Sequence, residues 1–237
     1  MDYSTIFEQS YNKISSLPDF PKGQAEKLWD SLPRCSRRIA ALFYLLPFGE
    51  DPGEEPIAQN EVLTMLTLSS FVHDDMTKGR AFSEKEAVLY GDYFFALAFS
   101  LLPPSLTRED GHRIALRACR YNEKRLEHRK ADSVTEEEIL CFAKEDYGAL
   151  LKDIAQEAME KNDFEDDVKV RYVCCAETLG TIWGLLCEGN ASYCGPLLKQ
   201  AEEEIIGLPM EAELTLLKNE LEGAYLENEP QHTTAEK

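Results

Sequence analysis

Cysteine occurs in this sequence without the arrangements that would give it a structural metal. The seven cysteines (Cys35, Cys119, Cys141, Cys174, Cys175, Cys187 and Cys194) form no C-x-x-C pair and have no histidine at zinc-ligand spacing, which excludes a zinc framework. An odd number scattered through apolar stretches reads as buried, reduced thiols in a reducing compartment. Basic charge is also in short supply: 25 Lys and Arg face 44 Asp and Glu, a formal net charge of −19. Such a surface repels phosphate backbones and anionic leaflets, so nucleic acid is not expected as a partner. The longest apolar run, IAALFYLLPF at 39–48, is about half of the ~20 residues that span a bilayer, so no transmembrane segment is expected. The opening MDYSTIFEQS is neither basic nor apolar, so no signal peptide is expected and the cytoplasm is the expected location. Glycine and proline are scattered, no linker divides the chain, and alternating strand patterns with turn dipeptides are missing.

What remains is helical spacing. Between Glu136 and Met159, Ile139, Phe142, Ala143, Tyr147, Leu150, Ile154 and Ala158 recur at three- and four-residue steps. Thr135, followed by Glu136, Glu137 and Glu138, has the form of an N-cap with acids in the first turn. Leu214, Leu217, Leu221 and Ala224 form another stripe after a break at Gly207–Pro209. The segment EAVLYGDYFFALAFSLLPP is apolar on most sides until two prolines end it, which predicts a buried central helix. The acidic run DFEDD at 163–167 lies between two helical stripes and is expected as a solvated loop. The expectation is an all-α bundle of eight to ten helices, one domain over 1–225, and an unstructured tail over 226–237, where no apolar period survives.

The residues that could carry chemistry lie in SSFVHDDMTKGR at 69–80. Two adjacent carboxylates, Asp74 and Asp75, end an apolar segment, as a magnesium site would require. On a helix, however, Asp74 shares its face with Lys78 one turn later. An ammonium then stands where a second carboxylate would bind, and a structural acid cluster is the competing reading.

The run Ser70, Val72, His73, Asp74, Asp75, followed by Ala87, Val88, Leu89, Gly91, Asp92 and Tyr93, resembles the core of the trans-polyprenyl diphosphate synthase family. The resemblance extends over roughly 30–225. Lys144 in FAKEDYGALL is similar to that family's Lys-Thr helix, with Glu145 in place of the threonine. ETLGTIWGLLCEGNAS resembles the segment that ends in the family's second aspartate-rich motif, and Gly180 and Trp183 fit it. Arg37 and Arg38 are similar to a remnant of the arginine-rich phosphate clamp. The departures fall at the acids. Lys78 takes the place of the third aspartate of the first motif. Gly184 replaces a glutamine, and Cys187, Glu188 and Ala191 stand where three aspartates belong. The arginine-arginine-glycine loop between the two blocks is missing.

The resemblance implies an isoprenoid-synthase-like helical bundle. In that family, magnesium ions held between two aspartate-rich motifs neutralise a departing diphosphate. A chain short of both motifs and of the clamp is similar to the non-catalytic component I type of heterodimeric heptaprenyl diphosphate synthase, a regulatory subunit in menaquinone side-chain biosynthesis. The implied partner is a catalytic subunit carrying the Mg2+, with no cofactor bound by this chain alone. Asp74 and Asp75 would be a degenerate metal motif, and Lys144, Arg37 and Arg38 a weakened substrate-binding set. Ser69 and Ser70, four and five places before the first aspartate, would leave the product tunnel open. Tyr93, Phe94 and Leu97, within 86–102, would meet the partner together with 111–128. The alternative is a stand-alone prenyltransferase or terpene-synthase-like enzyme with a remodelled metal site. A third reading is a helical interaction domain, to which the basic segment HRIALRACRYNEKRLEHRK would belong.

Overall fold

The computed structural model describes residues 39–49, 51–79, 81–102 and 135–228, with isolated positions between 12 and 27 and between 111 and 123; for 75–78 and 228 it describes the backbone only. Arg37, Arg38, Cys35 and residues 229–237 lie outside the described residues, as does most of the basic segment and of the second interface segment at 111–128. The elements are α1 (Ile39–Leu45), a 3-10 turn (Leu46–Phe48), α2 (Glu54–Lys78), α3 (Glu84–Ser100), α4 (Glu136–Ala143), a π-helical turn (Lys144–Gly148), α5 (Ala149–Glu160), α6 (Asp166–Cys187), a second 3-10 turn (Ala191–Tyr193), α7 (Cys194–Ile205) and α8 (Glu211–Asn228). Among the described residues there is no strand.

Local signals in the sequence place several helix ends. Thr135 caps α4 through a reciprocal box: its hydroxyl oxygen accepts from the Glu138 amide at 3.3 Å, and the Glu138 carboxylate accepts from the Thr135 amide at 2.7 Å. Pro47 closes α1 in a 3-10 turn. Between α7 and α8, Gly207 takes φ of +77°, a conformation side chains resist, and its amide donates to Glu211 at 2.6 Å. The acidic run behaves as expected: 163–165 are loop, and Asp166 and Asp167 form the exposed first turn of α6. The α8 stripe also buries as expected, with Leu214, Leu217 and Leu221 in the core. The helix runs three residues past Tyr225 to Asn228.

The helix expected over 136–159 is interrupted by the π turn, which inserts a residue. Beyond it Ile154 and Ala158 are buried as expected, while Leu150 is half-buried and Leu151 joins the core.

The central helices are α2 and α6, not α3. Every residue of α2 from 59 to 65 is buried, and every residue of α6 from 178 to 186. Apolar content misled at α3, which presents Val88, Leu89 and Asp92 to solvent. Polar content concealed α2, whose buried polar groups bond internally. The Thr64 hydroxyl donates to the Asn60 carbonyl at 2.9 Å. Gln59 accepts from Lys161 Nζ at 2.7 Å and from the Tyr44 hydroxyl, and donates to Glu157. That network ties α1, α2 and α5 together. The Tyr172 hydroxyl, donating to the Phe43 carbonyl at 2.9 Å, ties α6 to α1.

The buried side chains from α1 to α8 form one continuous cluster, so the described residues make a single all-helical domain. The cysteines depart from expectation. Cys175 and Cys194 are buried, but Cys119, Cys141 and Cys174 are exposed and Cys187 is half-exposed, because they fall on outward helix faces. Burial raises the thiol pKa of Cys194 to about 12 and pushes that of Cys175 up as well, which disfavours the thiolate at both. Among the described residues no helix is long and apolar enough to cross a membrane.

Candidate functional site

The C-terminal half of α2 crosses α3 at the two sequence blocks that carry the family resemblance. The Ser69 hydroxyl donates to the Gly91 carbonyl at 2.8 Å. One turn on, the His73 imidazole packs against the bare face of Gly91; a Cβ there would lie 2.6 Å from three ring atoms. Its Nε2 stands 3.4 Å from Asp92 Oδ1. Burial pulls the His73 pKa below its ordinary value, and the Asp92 carboxylate opposes that shift. Ser69, His73, Gly91 and Asp92 therefore lock two helices together. Much of what looks like an active-site signature in 69–93 is a packing device.

Asp74, the next residue of α2, is 1% exposed. The side chains of Asp75 and Lys78 lie outside the described residues. Ser70 is half-buried beside Ser69. Among the described residues, no three His, Cys, Asp or Glu side chains gather as metal ligands would.

The second half of the site forms where the π turn meets α6. Here the backbones touch. A Cβ on Gly180 would lie 2.6 Å from the Tyr147 carbonyl oxygen, one on Gly148 would lie 2.6 Å from the Thr181 hydroxyl, and one on Gly184 would lie 2.7 Å from the Tyr147 ring. Gly184 is thus a packing requirement for Tyr147, which accounts for its standing where a glutamine was expected. Tyr147 stacks edge-on against Trp183 with centroids 4.9 Å apart, and Trp183 meets Phe71 of α2 at 5.6 Å. This aromatic row joins the two motif regions through the core. It ends at the Tyr147 hydroxyl, 3.2 Å from Glu188 Oε1 just beyond α6.

The three positions expected to hold the second acid cluster offer a thiol at Cys187, one carboxylate at Glu188 and a buried methyl at Ala191. Magnesium takes about six oxygens at close to 2.1 Å, and this donor set does not fit it. Lys144 opens the π turn and points a 62% exposed side chain at Glu177 of α6, 3.6 Å from Oε2; Lys152 of α5 reaches Oε1 of the same carboxylate at 3.0 Å.

The structure closes Phe94 to a partner. Its side chain is 0% exposed inside the chain's own core, because it lies on the α3 face turned to the bundle. Tyr93 and Leu97 are half-buried against that core. The exposed large apolar groups of α3 are Val88 and Leu89, at 39% and 69%. Sequence reasoning missed Glu177, Lys152 and the Tyr147–Glu188 bond. Each joins residues more than 20 positions apart, and no periodic pattern signals such a pair.

No protein-family model matches the chain, and no curated protein matches it in sequence. Solved structures do. A geranylgeranyl pyrophosphate synthase superposes with a TM-score of 0.58 at 12% identity, covering 96% of this chain and 86% of that one. A deletion mutant of the mint heterotetrameric geranyl pyrophosphate synthase, in complex with ligands, superposes with a TM-score of 0.56 at 15% identity, covering 92% of this chain and 98% of that one. The chain has the isoprenoid synthase fold.

Proposed function

We propose that this chain is a non-catalytic subunit of a heterodimeric long-chain polyprenyl diphosphate synthase, of the heptaprenyl type that supplies quinone side chains. In this reading it supports a catalytic partner and shapes the length of that partner's product. The observation that carries the proposal is the end of α6, where the fold's second acid cluster is reduced to Glu188, and Glu188 already accepts a hydrogen bond from Tyr147. Ionising an allylic diphosphate puts charge on the leaving oxygens, and that charge has to be met by preorganised cations. With Lys78 in place of the third acid of the first motif as well, too few acids remain across the two motifs to hold such cations. The Mg2+ is then the partner's. Asp74 and Asp75 are remnants of the first motif, and Lys144, with Arg37 and Arg38, remnants of the substrate clamp.

The neighbour from mint is heterotetrameric, and a partner subunit for this chain would meet the exposed apolar strip on α3. Contact through Val88 and Leu89, flanked by Tyr93 and Leu97, replaces the contact expected at Phe94. Ser70 keeps the wall before the first acid open to a growing chain, while the Ser69 hydroxyl is already engaged by Gly91.

The test is co-expression with a catalytic polyprenyl diphosphate synthase chain, co-purification, and chromatography of the dephosphorylated products. The expected result is no condensation by this chain alone, activity from the mixture, and shorter products when Ser70→Phe is substituted. Magnesium-dependent condensation of allylic and isopentenyl diphosphates by this chain alone would overturn the proposal and favour the stand-alone enzyme.

A further inference from the structure

We propose that the outer face of α8 is a docking seam for a basic amphipathic helix of another protein. The inner face of α8 is spent on the chain's own core, through Leu214, Leu217 and Leu221. The outer face carries Ala212, Leu216, Asn219, Gly223 and Leu226, all exposed, with Leu216 at 65% and Leu226 at 61%. These residues recur at alternating four- and three-residue steps. On a helix of about 3.6 residues per turn they fall within an arc of about 80° and run for about 21 Å. Such a seam is what one helix offers another, and a single Asn within it fixes the register of pairing. No charged residue interrupts it, in a chain whose formal charge is −19. Gly223 has nothing within 4 Å of the place a Cβ would take, which leaves room for a large side chain from outside.

The charges beside the seam select the occupant. Glu213, Glu220 and Glu227 recur every seven residues along one edge, the first two half-buried and the third exposed. On the other edge the acids are already engaged: Glu222 pairs with Lys218 at 3.0 Å, and Glu211 accepts from the Gly207 amide at 2.6 Å. Charged residues at such flanking positions decide which helix is accepted. A second copy of α8 is a poor match. Laid antiparallel about Asn219, it would set Glu213 against the other copy's Glu227 and Glu220 against its own counterpart. Like charges so placed work against pairing. Lysine or arginine along the facing edge of an incoming helix meets the same row with opposite charge, while its apolar residues cover Leu216 and Leu226.

The probe is a fluorescein-labelled synthetic peptide about three heptads long, with leucine at the two seam positions of each heptad, lysine at the flanking ones and alanine elsewhere. Its binding to the full chain is read by fluorescence anisotropy. Leu216→Gln with Leu226→Gln should weaken binding at least tenfold, because both leucines are covered in the complex. Glu213→Gln with Glu227→Gln should weaken it by about three- to tenfold, as two exposed ion pairs would. A peptide with glutamate in place of lysine should not bind. Leu216 and Leu226 are exposed, so their replacement leaves the core intact, and circular dichroism checks the fold of each variant. A lysine peptide that fails to bind the native chain would overturn the proposal. So would binding that survives loss of both leucines, which is attraction to the acidic surface at large, or equal binding of the glutamate peptide. Self-association of the chain in sedimentation, abolished by the leucine changes, would give the seam to a second copy and overturn the basic partner. The seam lies on a different helix from the α3 strip, so its failure leaves the subunit reading standing, and a failed co-purification leaves the seam untouched.

Discussion

Gly180→Ala tests the contact on which the second half of the site depends. In a helix interior the change is favourable by itself, worth about 1 kcal/mol in propensity. Here the added methyl would sit 2.6 Å from the Tyr147 carbonyl oxygen, 3.0 Å from the Gly148 Cα and 3.1 Å from the Tyr147 carbonyl carbon. All three are backbone atoms of the π turn, and none can rotate away as a side-chain tip would. Relief requires α6 and the turn to separate, which loosens the packing of Tyr147 on Trp183 and of Gly148 on Thr181. Overpacking of this kind costs about 1–3 kcal/mol or more, so a net loss of roughly 2 kcal/mol is expected after the propensity gain. For a domain of this size that lowers Tm by about 4–8 °C. The control is Gly223→Ala in α8, where nothing lies within 4 Å of the new methyl. It should gain about 0.5–1 kcal/mol and raise Tm by a few degrees. Thermal unfolding followed by far-UV circular dichroism reads both. A G180A chain melting at or above the native temperature, while G223A gains as expected, would refute backbone contact between α6 and the π turn.

Three further outcomes follow from the same contacts. The folded-state pKa of His73 lies below its ordinary 6.5, so stability from burying the neutral ring is full above that value and is lost as pH falls through the folded-state value. Asp92 is the raising influence, so Asp92→Asn should lower the His73 midpoint in an NMR titration; an unmoved midpoint would dismiss the pair. The Glu138 carboxyl is held below the usual range by the Thr135 amide and hydroxyl, so its contribution is present at neutral pH and lost in acid as that group protonates. Glu138→Gln should accordingly lower Tm at pH 7 and leave it unchanged in acid, and a penalty equal at both would count against the capping box. Trp183→Ala should cost about 3–5 kcal/mol, because it leaves a cavity between Phe71 and Tyr147. Tyr147→Phe keeps the ring, removes the hydroxyl that bonds Glu188, and should cost about 1 kcal/mol. Urea midpoints in the reverse order would show that the aromatic row does not carry the load.

The helices themselves were legible because their signals are local. The cap at Thr135, the stripe in α8 and the stop at Gly207 each depend on residues within one or two turns, and each stands where spacing put it. The acid deficit was equally plain, since Lys78, Cys187 and Ala191 can be read directly against the pattern they interrupt. Burial was read less well. The apolar α3 turned out to have a wet face, and the polar α2 became a central helix, because internal hydrogen bonds allow Gln59 and Thr64 to be buried. Periodicity reports how apolar a face is, not what covers it.

The sequence by itself determined an all-helical chain, a resemblance to prenyl diphosphate synthases, and residues other than carboxylates at several positions where that resemblance expects them. All three are written in residue type and short-range spacing. Tertiary structure alone decided that Ser69, His73, Gly91 and Asp92 fasten two helices, that Phe94 is core, and that Glu177 stands between two lysines. Those facts depend on which helix faces meet across a long separation in the chain, and that is fixed only when the whole core packs.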